Sequence, residues 1–525
     1  MERDNKLNKN LKLIVKSSLI VFIGVGLSKI FTYLYRVIIA RYFGPEIYGI
    51  FSLAMMVSGA FIALASFGLP DGILRYIAIF RGKKQTEKIK YSIKFSLYLL
   101  LISSIIFGFM LFFLSEEIAV EIFHNEKLIF FLRVFSLAVP FSVLSNILLS
   151  TLRAYEKISI YSFISNVARN FFKVIFIVLF IFIGLGSSSV AFSHVVGALG
   201  ILLFAYVICK NKIPEMWGKV KLKNKQRKEI SRGIFSYSWP VVFVGVMQII
   251  LVWLDSFFIG YFKTAVEVGF YAAAVPIAAL LHFVPELFMQ LFFPLINKIY
   301  AKKDIILVKE ISKQVVKWIF LINLPIFILI FIFPETAIEI LFGKEYIVAS
   351  FALRILAIGF FITTIVPTTC YNLLLMKGKS KVILFNTLIA IILNAILNYI
   401  FIPMSKIGFI DNELGINGAA IATLLSIILT SALILIETRY YVSIVPVKRK
   451  MIGIAIISLI SAAILLYIRQ FIAETIVNVI ILGTFFVLCY IVLLLINGYL
   501  DKNDKLIIGT IKDKIRMNDR YRNSS

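Results

Sequence analysis

The chain has 525 residues, 60% of them hydrophobic and only 16% charged, with a mean hydropathy of +0.95. That is more apolar surface than a soluble domain buries, so lipid has to cover the remainder. A net charge of +27 would point to nucleic acid in a soluble protein, but here the basic residues sort by loop, which excludes nucleic acid as a partner.

Apolar runs long enough to cross a bilayer as helices, about 20 residues each, recur along the whole chain. The first, 17–43, carries Lys29, Tyr33 and Arg36 at i, i+4 and i+7, which puts them on one helix face. It reads as a span and not as a cleaved leader, because no small-residue cleavage site follows it. The second is 46–69. A basic stretch, Arg81 to Lys94, leads to the third span, 93–115. A short acidic loop with Glu116, Glu117, Glu121 and Glu126 separates that span from the fourth, 130–152, whose Arg133 lies near the loop. The fifth, 159–184, has a polar stripe of Asn166, Arg169, Asn170 and Lys173 at i, i+3, i+4 and i+7. The sixth is 188–209.

The longest polar stretch, Lys210 to Arg232, holds nine Lys or Arg and reads as a linker between two lobes. The seventh span, 233–262, contains Pro240 and Asp255. The eighth, 267–297, carries His282, Glu286 and Gln290 at i, i+4 and i+8, with Pro276, Pro285 and Pro294 interrupting it. The ninth and tenth, 315–340 and 348–376, flank Glu335, Glu339 and Glu345; Arg354 and Pro367 lie in the tenth. The eleventh, 381–404, has a looser stripe of Asn386, Asn394 and Asn398, and the twelfth is 415–437. Spans 451–470 and 475–499 stand as an appendix before a basic tail, 501–525.

Most of the 55 Lys and Arg fall in alternate loops and at both ends, including Lys6, Lys9, Lys12 and Lys16, while the opposite loops are acidic. By the positive-inside rule the basic set is cytoplasmic, so the sequence predicts an all-α integral membrane protein of about fourteen spans in the cytoplasmic membrane, both termini inside. The expected domains are an N-lobe at 1–212 (spans one to six), a cytoplasmic linker at 213–232, a C-lobe at 233–445 (spans seven to twelve), the last two spans at 446–500, and the tail.

An internal duplication supports the two lobes. Ala119-Val120-Glu121-Ile122-Phe123 before Leu132-Arg133 matches Ala337-Ile338-Glu339-Ile340-Leu341 before Leu353-Arg354. Tyr42-Phe43 matches Tyr261-Phe262 and Gly49-Ile50-Phe51 matches Gly269-Phe270-Tyr271 at a similar offset, and agreement of several matches on one offset is the mark of a repeat. Six is an even number of spans, so the second copy enters with the orientation of the first, and a pseudo-two-fold axis along the membrane normal is expected.

A charge at the bilayer centre costs ~2.5–3.5 kcal/mol on insertion scales, so charges well inside spans face a cavity or a partner. Lys29, Arg36 and Arg169 are assigned to a cavity, and Arg133 and Arg354, near the ends of their helices, to structure. Asp255 follows Arg36 by the offset of the repeat, which places it at the equivalent point of the other lobe, and the two are expected to meet in an outer gate. Asp255 and Glu286 are read either as a coupling site for Na+ or H+ or as counter-ions to buried cations. Six basic against two acidic residues leave the interior positive, which favours an anionic solute, and Arg suits phosphate oxygens. No phosphate-cradling nucleotide loop, no His or Cys cluster and no nucleophile set is present in the sequence, so no catalytic centre, metal or cofactor is expected.

The segment Arg41-Tyr42-Phe43-Gly44-Pro45-Glu46-Ile47-Tyr48-Gly49-Ile50-Phe51-Ser52-Leu53-Ala54, with Gly68-Leu69-Pro70-Asp71-Gly72-Ile73-Leu74-Arg75-Tyr76, resembles the start of the polysaccharide biosynthesis membrane proteins. These are the Wzx-type flippases of the multidrug, oligosaccharidyl-lipid and polysaccharide exporter superfamily, and Gly415-Ile416-Asn417-Gly418-Ala419-Ala420-Ile421-Ala422 also resembles their pattern. The resemblance implies translocation of a polyprenyl-phosphate or polyprenyl-diphosphate linked oligosaccharide by alternating access, with the last two helices forming a groove for the lipid tail. Lys29, Arg36, Asn166, Arg169, Asn170 and Lys173 are then the expected substrate-binding residues, and a monomer among membrane lipids the expected state. The alternatives are a peptidoglycan-precursor flippase, an ion-coupled exporter of small molecules and, more distantly, a membrane glycosyltransferase.

The expected topology is tested by cysteine labelling. Positions 117 and 345 should react from outside intact cells, and positions within 210–232 only after permeabilisation. Labelling of the linker in intact cells would reverse the orientation.

Overall fold

The computed structural model describes residues 2–213, 216, 218–404, 406–407, 410–411, 414–472 and 475–499, without the side chains of 2–25, 27, 291, 406–407 and 410–411. The basic tail, and the side chains of Lys6, Lys9, Lys12 and Lys16, lie outside the described residues.

Within hydrocarbon every backbone amide has to find its partner inside the chain, and a helix does this segment by segment. The described residues accordingly form helices, apart from one two-residue β-pair, Lys406–Ile407 with Ile410–Asp411. In chain order these are α1 (Glu2–Ala65), α2 (Leu69–Gly82), α3 (Thr86–Phe113), α4 (Ser115–Glu117), α5 (Lys127–Ser136), α6 (Ala138–Ala154), α7 (Ile158–Ser162), α8 (Arg169–Ile183), α9 (Ser188–Lys212), α10 (Asn224–Phe262) and α11 (Ala265–Ala279). They continue as α12 (Phe283–Ala301), α13 (Ile305–Ile332), α14 (Pro334–Leu341), α15 (Ser350–Ile365), α16 (Pro367–Met376), α17 (Ser380–Phe401), α18 (Gly415–Val442), α19 (Lys450–Arg469) and α20 (Ile476–Ile496). Among the described residues twelve helices are long and apolar enough to cross a membrane, or thirteen if the pair α5 and α6, bent by 40°, is one span. Within α1 the backbone leaves the helical region at Gly44 (φ 79°, ψ 178°), a conformation glycine adopts without penalty, and Pro45 restarts the helix. The first two expected spans meet at that break.

Prolines mark some of the breaks: Pro140 lies just after the α5–α6 bend, a 3₁₀ turn at Leu280–His282 falls between Pro276 and Pro285, and Pro367 opens α16, whereas Pro240 and Pro294 lie inside α10 and α12 without interrupting them.

Two compact units make up the chain, one from Gly24 to Ala272, the other from Ala273 onward together with the first 23 residues. In the first, α8 runs along α9 and α9 along α6. A β-carbon at Gly197 of α9 would stand 2.7 Å from Cγ of Lys173, so glycine sets this close approach. In the second, α18 packs on both α15 and α17, and a β-carbon at Gly418 would stand 2.6 Å from the Phe401 carbonyl oxygen. The two glycines are separated by the offset of the repeat and lie on corresponding helices of the duplication.

A repeated ion pair gives the same correspondence. Arg133 Nη2 donates to Glu116 Oε2 at 3.1 Å in the first unit, and Arg354 Nη2 to Glu335 Oε1 at 3.0 Å in the second. Both arginines are therefore structural, as their position near the ends of their helices suggested.

In the second unit Phe292, Trp318, Val308 and Leu373 belong to one core, and Phe486, Tyr490, Leu465 and Phe320 to another that fastens α19 and α20 to α13. Lys317, near the start of the ninth expected span, is fully buried in α13, and its ammonium donates to the Tyr499 carbonyl at 3.1 Å. Lys448 bonds Gln314, one turn before Lys317 on the same helix. The last two helices are thus anchored at their ends as well as along their length. Cys209 and Cys370 are buried and Cys489 half-buried, all three as free thiols.

Gly418→Ala is expected to lower stability by about 1–3 kcal/mol, because the obstacle is backbone and cannot rotate away. Thermal unfolding in detergent checks this, with Gly82→Ala, where a β-carbon meets nothing within 4 Å, as the control.

Candidate substrate site

The polar residues of the first and fifth spans converge inside the first unit. A π-helical segment, Phe163–Ala168, joins α7 to α8 and shifts the following face by a residue relative to a regular helix. Asn170 Nδ2 donates to Thr32 Oγ1 at 2.8 Å, and Ser28 Oγ to the Asn166 carbonyl at 3.0 Å, which fastens α8 and its π-helical entry to α1. Asn166 Nδ2 donates to Ser162 Oγ at 3.2 Å. Asn170 thus joins α8 to α1 by its side chain, and Asn166 by its backbone carbonyl.

Arg169 Nη2 donates to Asn146 Oδ1 on α6 at 3.1 Å. Lys173 holds its ammonium 5.8 Å from the centre of the Tyr35 ring, whose hydroxyl meets Ser193 Oγ at 3.1 Å. Arg36 lies near enough to Lys173 for their charges to interact, as does Arg169. Lys29, Arg36, Arg169 and Lys173 are all half-buried. Among the described residues Arg36, Arg169 and Lys173 form no ion pair, although other cations of the chain do. Beside them His194 is buried and stacks on Phe135 at 4.3 Å, with its Nδ1 unbonded among the described residues.

Of the acidic candidates, Asp255, on α10, accepts a 2.5 Å hydrogen bond from the Tyr271 hydroxyl. Glu286 belongs to the second unit and is exposed on one face of the chain with His282 and Gln290. The asparagine stripe of α17 is spent on α18 and on itself: Asn386 Nδ2 donates to Glu437 Oε2 at 2.6 Å, Asn394 Nδ2 to Thr423 Oγ1 at 3.1 Å, and Asn398 Nδ2 to Asn394 Oδ1 at 3.0 Å.

Sequence reading singled out neither Asn146 nor Tyr35; Asn146 belongs to no polar stripe, and only the fold carries it to Arg169. Two apolar clefts lie elsewhere in the described residues. One of about 400 Å³ in the first unit is lined by Met56, Phe61, Ile122, Trp253 and Phe257; one of about 510 Å³ in the second runs between α13, α14 and α20, lined by Leu329, Phe333, Ile340, Ile480 and Val487.

The sequence pattern of the family described as polysaccharide biosynthesis protein matches residues 14–300, more than half of the chain, and that of the MatE family matches 240–400. A putative O-antigen transporter of Shigella flexneri is 26% identical over 359 residues, covering 66% of this chain and 80% of its own length. A probable low-salt glycan biosynthesis flippase of Haloferax volcanii is 28% identical over 235 residues, 44% of this chain and 47% of its own. The fold is similar to that of the lipid II flippase MurJ in an inward closed conformation, with a TM-score of 0.66 at 16% identity, covering 90% of this chain and 97% of that one.

The structural arginines give a direct check on which charges matter. Arg133→Ala and Arg354→Ala, each losing a partly exposed pair, are expected to cost no more than ~1 kcal/mol of stability. Thermal unfolding in detergent reads this.

Proposed function

This chain belongs to the polysaccharide biosynthesis protein family, and we propose that it carries a polyprenyl-phosphate or polyprenyl-diphosphate linked oligosaccharide from the inner to the outer leaflet of the cytoplasmic membrane. It is a multi-pass membrane transporter of the flippase class, and the observation that carries the finer reading is the cluster of Arg36, Arg169 and Lys173. Three cations brought together half-buried, with no ion-pair partner among the described residues, form a site that an anion completes. A diphosphate is the fitting headgroup, because it has enough oxygens to accept from two guanidinium groups and an ammonium at once. Lys29 extends the same face toward the chain's start. Asn146 holds the Arg169 guanidinium, and Asn170 and Asn166 keep the two helices in register, so these amides position the site while the cations bind.

In this reading the glycan crosses through the positive interior by alternating access between the lobes at 1–212 and 233–445. The apolar cleft between α13, α14 and α20 receives part of the lipid tail, which never has to leave hydrocarbon. Both termini and the linker at 213–232 face the cytoplasm. Asp255 and Glu286 are the candidates for a coupling ion, Na+ or H+, and no catalytic step is required of the chain. A peptidoglycan-precursor lipid shares the same diphosphate chemistry. The MatE match over 240–400 favours, as the second reading, an ion-coupled exporter of small molecules.

Reconstitution tests the choice. Charged hydrogen bonds contribute ~1.5–3 kcal/mol each, so Arg36→Ala and Arg169→Ala are expected to slow flipping of a fluorescent polyprenyl-diphosphate sugar in proteoliposomes by tenfold or more while insertion is unaffected. Unchanged rates in both variants would remove the anionic substrate.

A further inference from the structure

The polar stretch between α9 and α10, expected from the sequence as a linker, is fastened to the first unit. Ile213 and Met216 are buried, and from Gly218 the chain is tied to the beginning of α3. Lys94 Nζ donates to the Gly218 carbonyl at 3.0 Å, the Lys221 amide to Glu87 Oε2 at 2.6 Å, and Arg227 Nη2 to the Val220 carbonyl at 3.4 Å. The other Glu87 oxygen accepts from Lys90 Nζ at 2.7 Å, and the hydroxyls of Tyr91 on α3 and Ser231 on α10 meet at 2.7 Å. One carboxylate thus holds the strap at 218–223 through its backbone, which leaves the strap's lysine side chains for other use.

Held in this way, the strap presents cations in a fixed pattern. Lys219, Lys221 and Lys223 are exposed and alternate with half-buried Val220 and Leu222, and Lys225, Lys228 and Arg232 follow on one face of α10, at i, i+3 and i+7, all exposed. Among the described residues none of these six side chains enters an ion pair, and Glu229 is the only acid from 219 to 232. The same face of α10 continues to Phe235 and Trp239, both exposed. At about 1.5 Å per residue, Lys94 lies about 29 Å from the end of α3 at Phe113, and Trp239 about 35 Å from the end of α10 at Phe262. A hydrocarbon layer about 30 Å thick therefore ends at the level of the strap and of Trp239, and the cations stand among the headgroups.

We propose that the strap at 218–223 and the first turns of α10 form a docking surface for the headgroups of anionic phospholipids in the inner leaflet, with Glu87 as the residue that builds it. The inference rests on the proposed topology, which makes this end of the helices cytoplasmic, and it does not depend on the substrate cluster. Each Lys or Arg beside an anionic leaflet contributes about fivefold in affinity, and a group of four to eight next to a span is the pattern that such lipids recognise. A phosphodiester accepts hydrogen bonds from ammonium and guanidinium alike, while an indole at the edge of the hydrocarbon suits the start of the acyl chains. A strap already fixed on α3 has less freedom to lose on binding than a loose linker. The row of cations leading into exposed aromatic residues fits a lipid better than a soluble anion, which would use the charges alone.

The test titrates the full chain in detergent with phosphatidylglycerol or phosphatidylcholine and reads binding by native mass spectrometry. The wild type is expected to prefer phosphatidylglycerol by about tenfold or more. Lys219→Gln, Lys221→Gln and Lys223→Gln together, all at exposed positions, should reduce the preference to about threefold or less. Lys302→Gln, Lys303→Gln and Lys309→Gln, which remove equal charge from another basic loop, should keep it. Glu87→Gln separates a built surface from diffuse attraction: it makes the chain more positive, so diffuse attraction strengthens binding, whereas loss of the strap's anchor weakens it by about threefold or more. Equal losses in the two triple variants, or phosphatidylglycerol binding by Glu87→Gln at or above the wild type, overturn the docking surface. Displacement of the lipid by glycerol 3-phosphate overturns the choice of a lipid and makes this a site for soluble phosphate esters. Labelling of 210–232 from outside intact cells overturns the proposed topology and the leaflet with it, while loss of the phosphatidylglycerol preference in the wild type overturns the docking surface and leaves that topology standing.

Discussion

Ionised side chains deep in a bilayer are tolerated only where a partner or water compensates them, at ~2.5–3.5 kcal/mol each otherwise. This chain meets that constraint in three different ways. Arg133 and Arg354 pair with Glu116 and Glu335. Lys317, fully buried, donates to the Tyr499 carbonyl where the last helix has just ended. Among the described residues Arg169 and Lys173 meet neutral partners, a carboxamide and an aromatic face, and Arg36 forms no ion pair. Neutral partners orient a cation without cancelling its charge. That difference divides the charges paired with a carboxylate from those that carry no ion pair among the described residues, and no count of basic residues would have made it.

The duplication shows how the same scaffold acquired two chemistries. Glycines at 197 and 418 bring corresponding helix pairs together, and the arginine–glutamate pairs recur at nearly one offset. Between these fixed points the polar stripes have diverged. The stripe at 166–173 offers cations inward while its asparagines brace helices, whereas Asn386, Asn394 and Asn398 spend their amides on α18 or on one another. Small residues are free to persist in both copies because they serve only close backbone approach, which every membrane helix pair needs. Side-chain polarity has to persist only where it is used.

The fold is similar to that of MurJ, and a shared fold does not by itself fix what a chain carries, which depends on its interior polar side chains. In the first unit three of these are the cations Arg36, Arg169 and Lys173, while the acidic Asp255 is bonded to Tyr271 on the neighbouring helix. Gly49 and Gly269 bring α1 and α11 into backbone contact.

The amino-acid sequence by itself determined the class of fold, the positions of nearly all helices, the break at Gly44-Pro45 and the duplication. The reason is that bilayer thickness converts a one-dimensional hydropathy pattern directly into spans. It also picked out Lys29, Arg36, Arg169 and Lys173, because a charge inside an apolar run is conspicuous without any structure. Tertiary structure alone decided which polar residues meet. Asn146 reaches Arg169 from α6, through a contact with no sequence period. Asn170 donates to Thr32 on α1, and Lys317 finds the Tyr499 carbonyl because the chain beyond α20 returns to α13. Proximity across helices is set by packing and glycine spacing, and those are properties of pairs of segments, which a single run of residues does not encode.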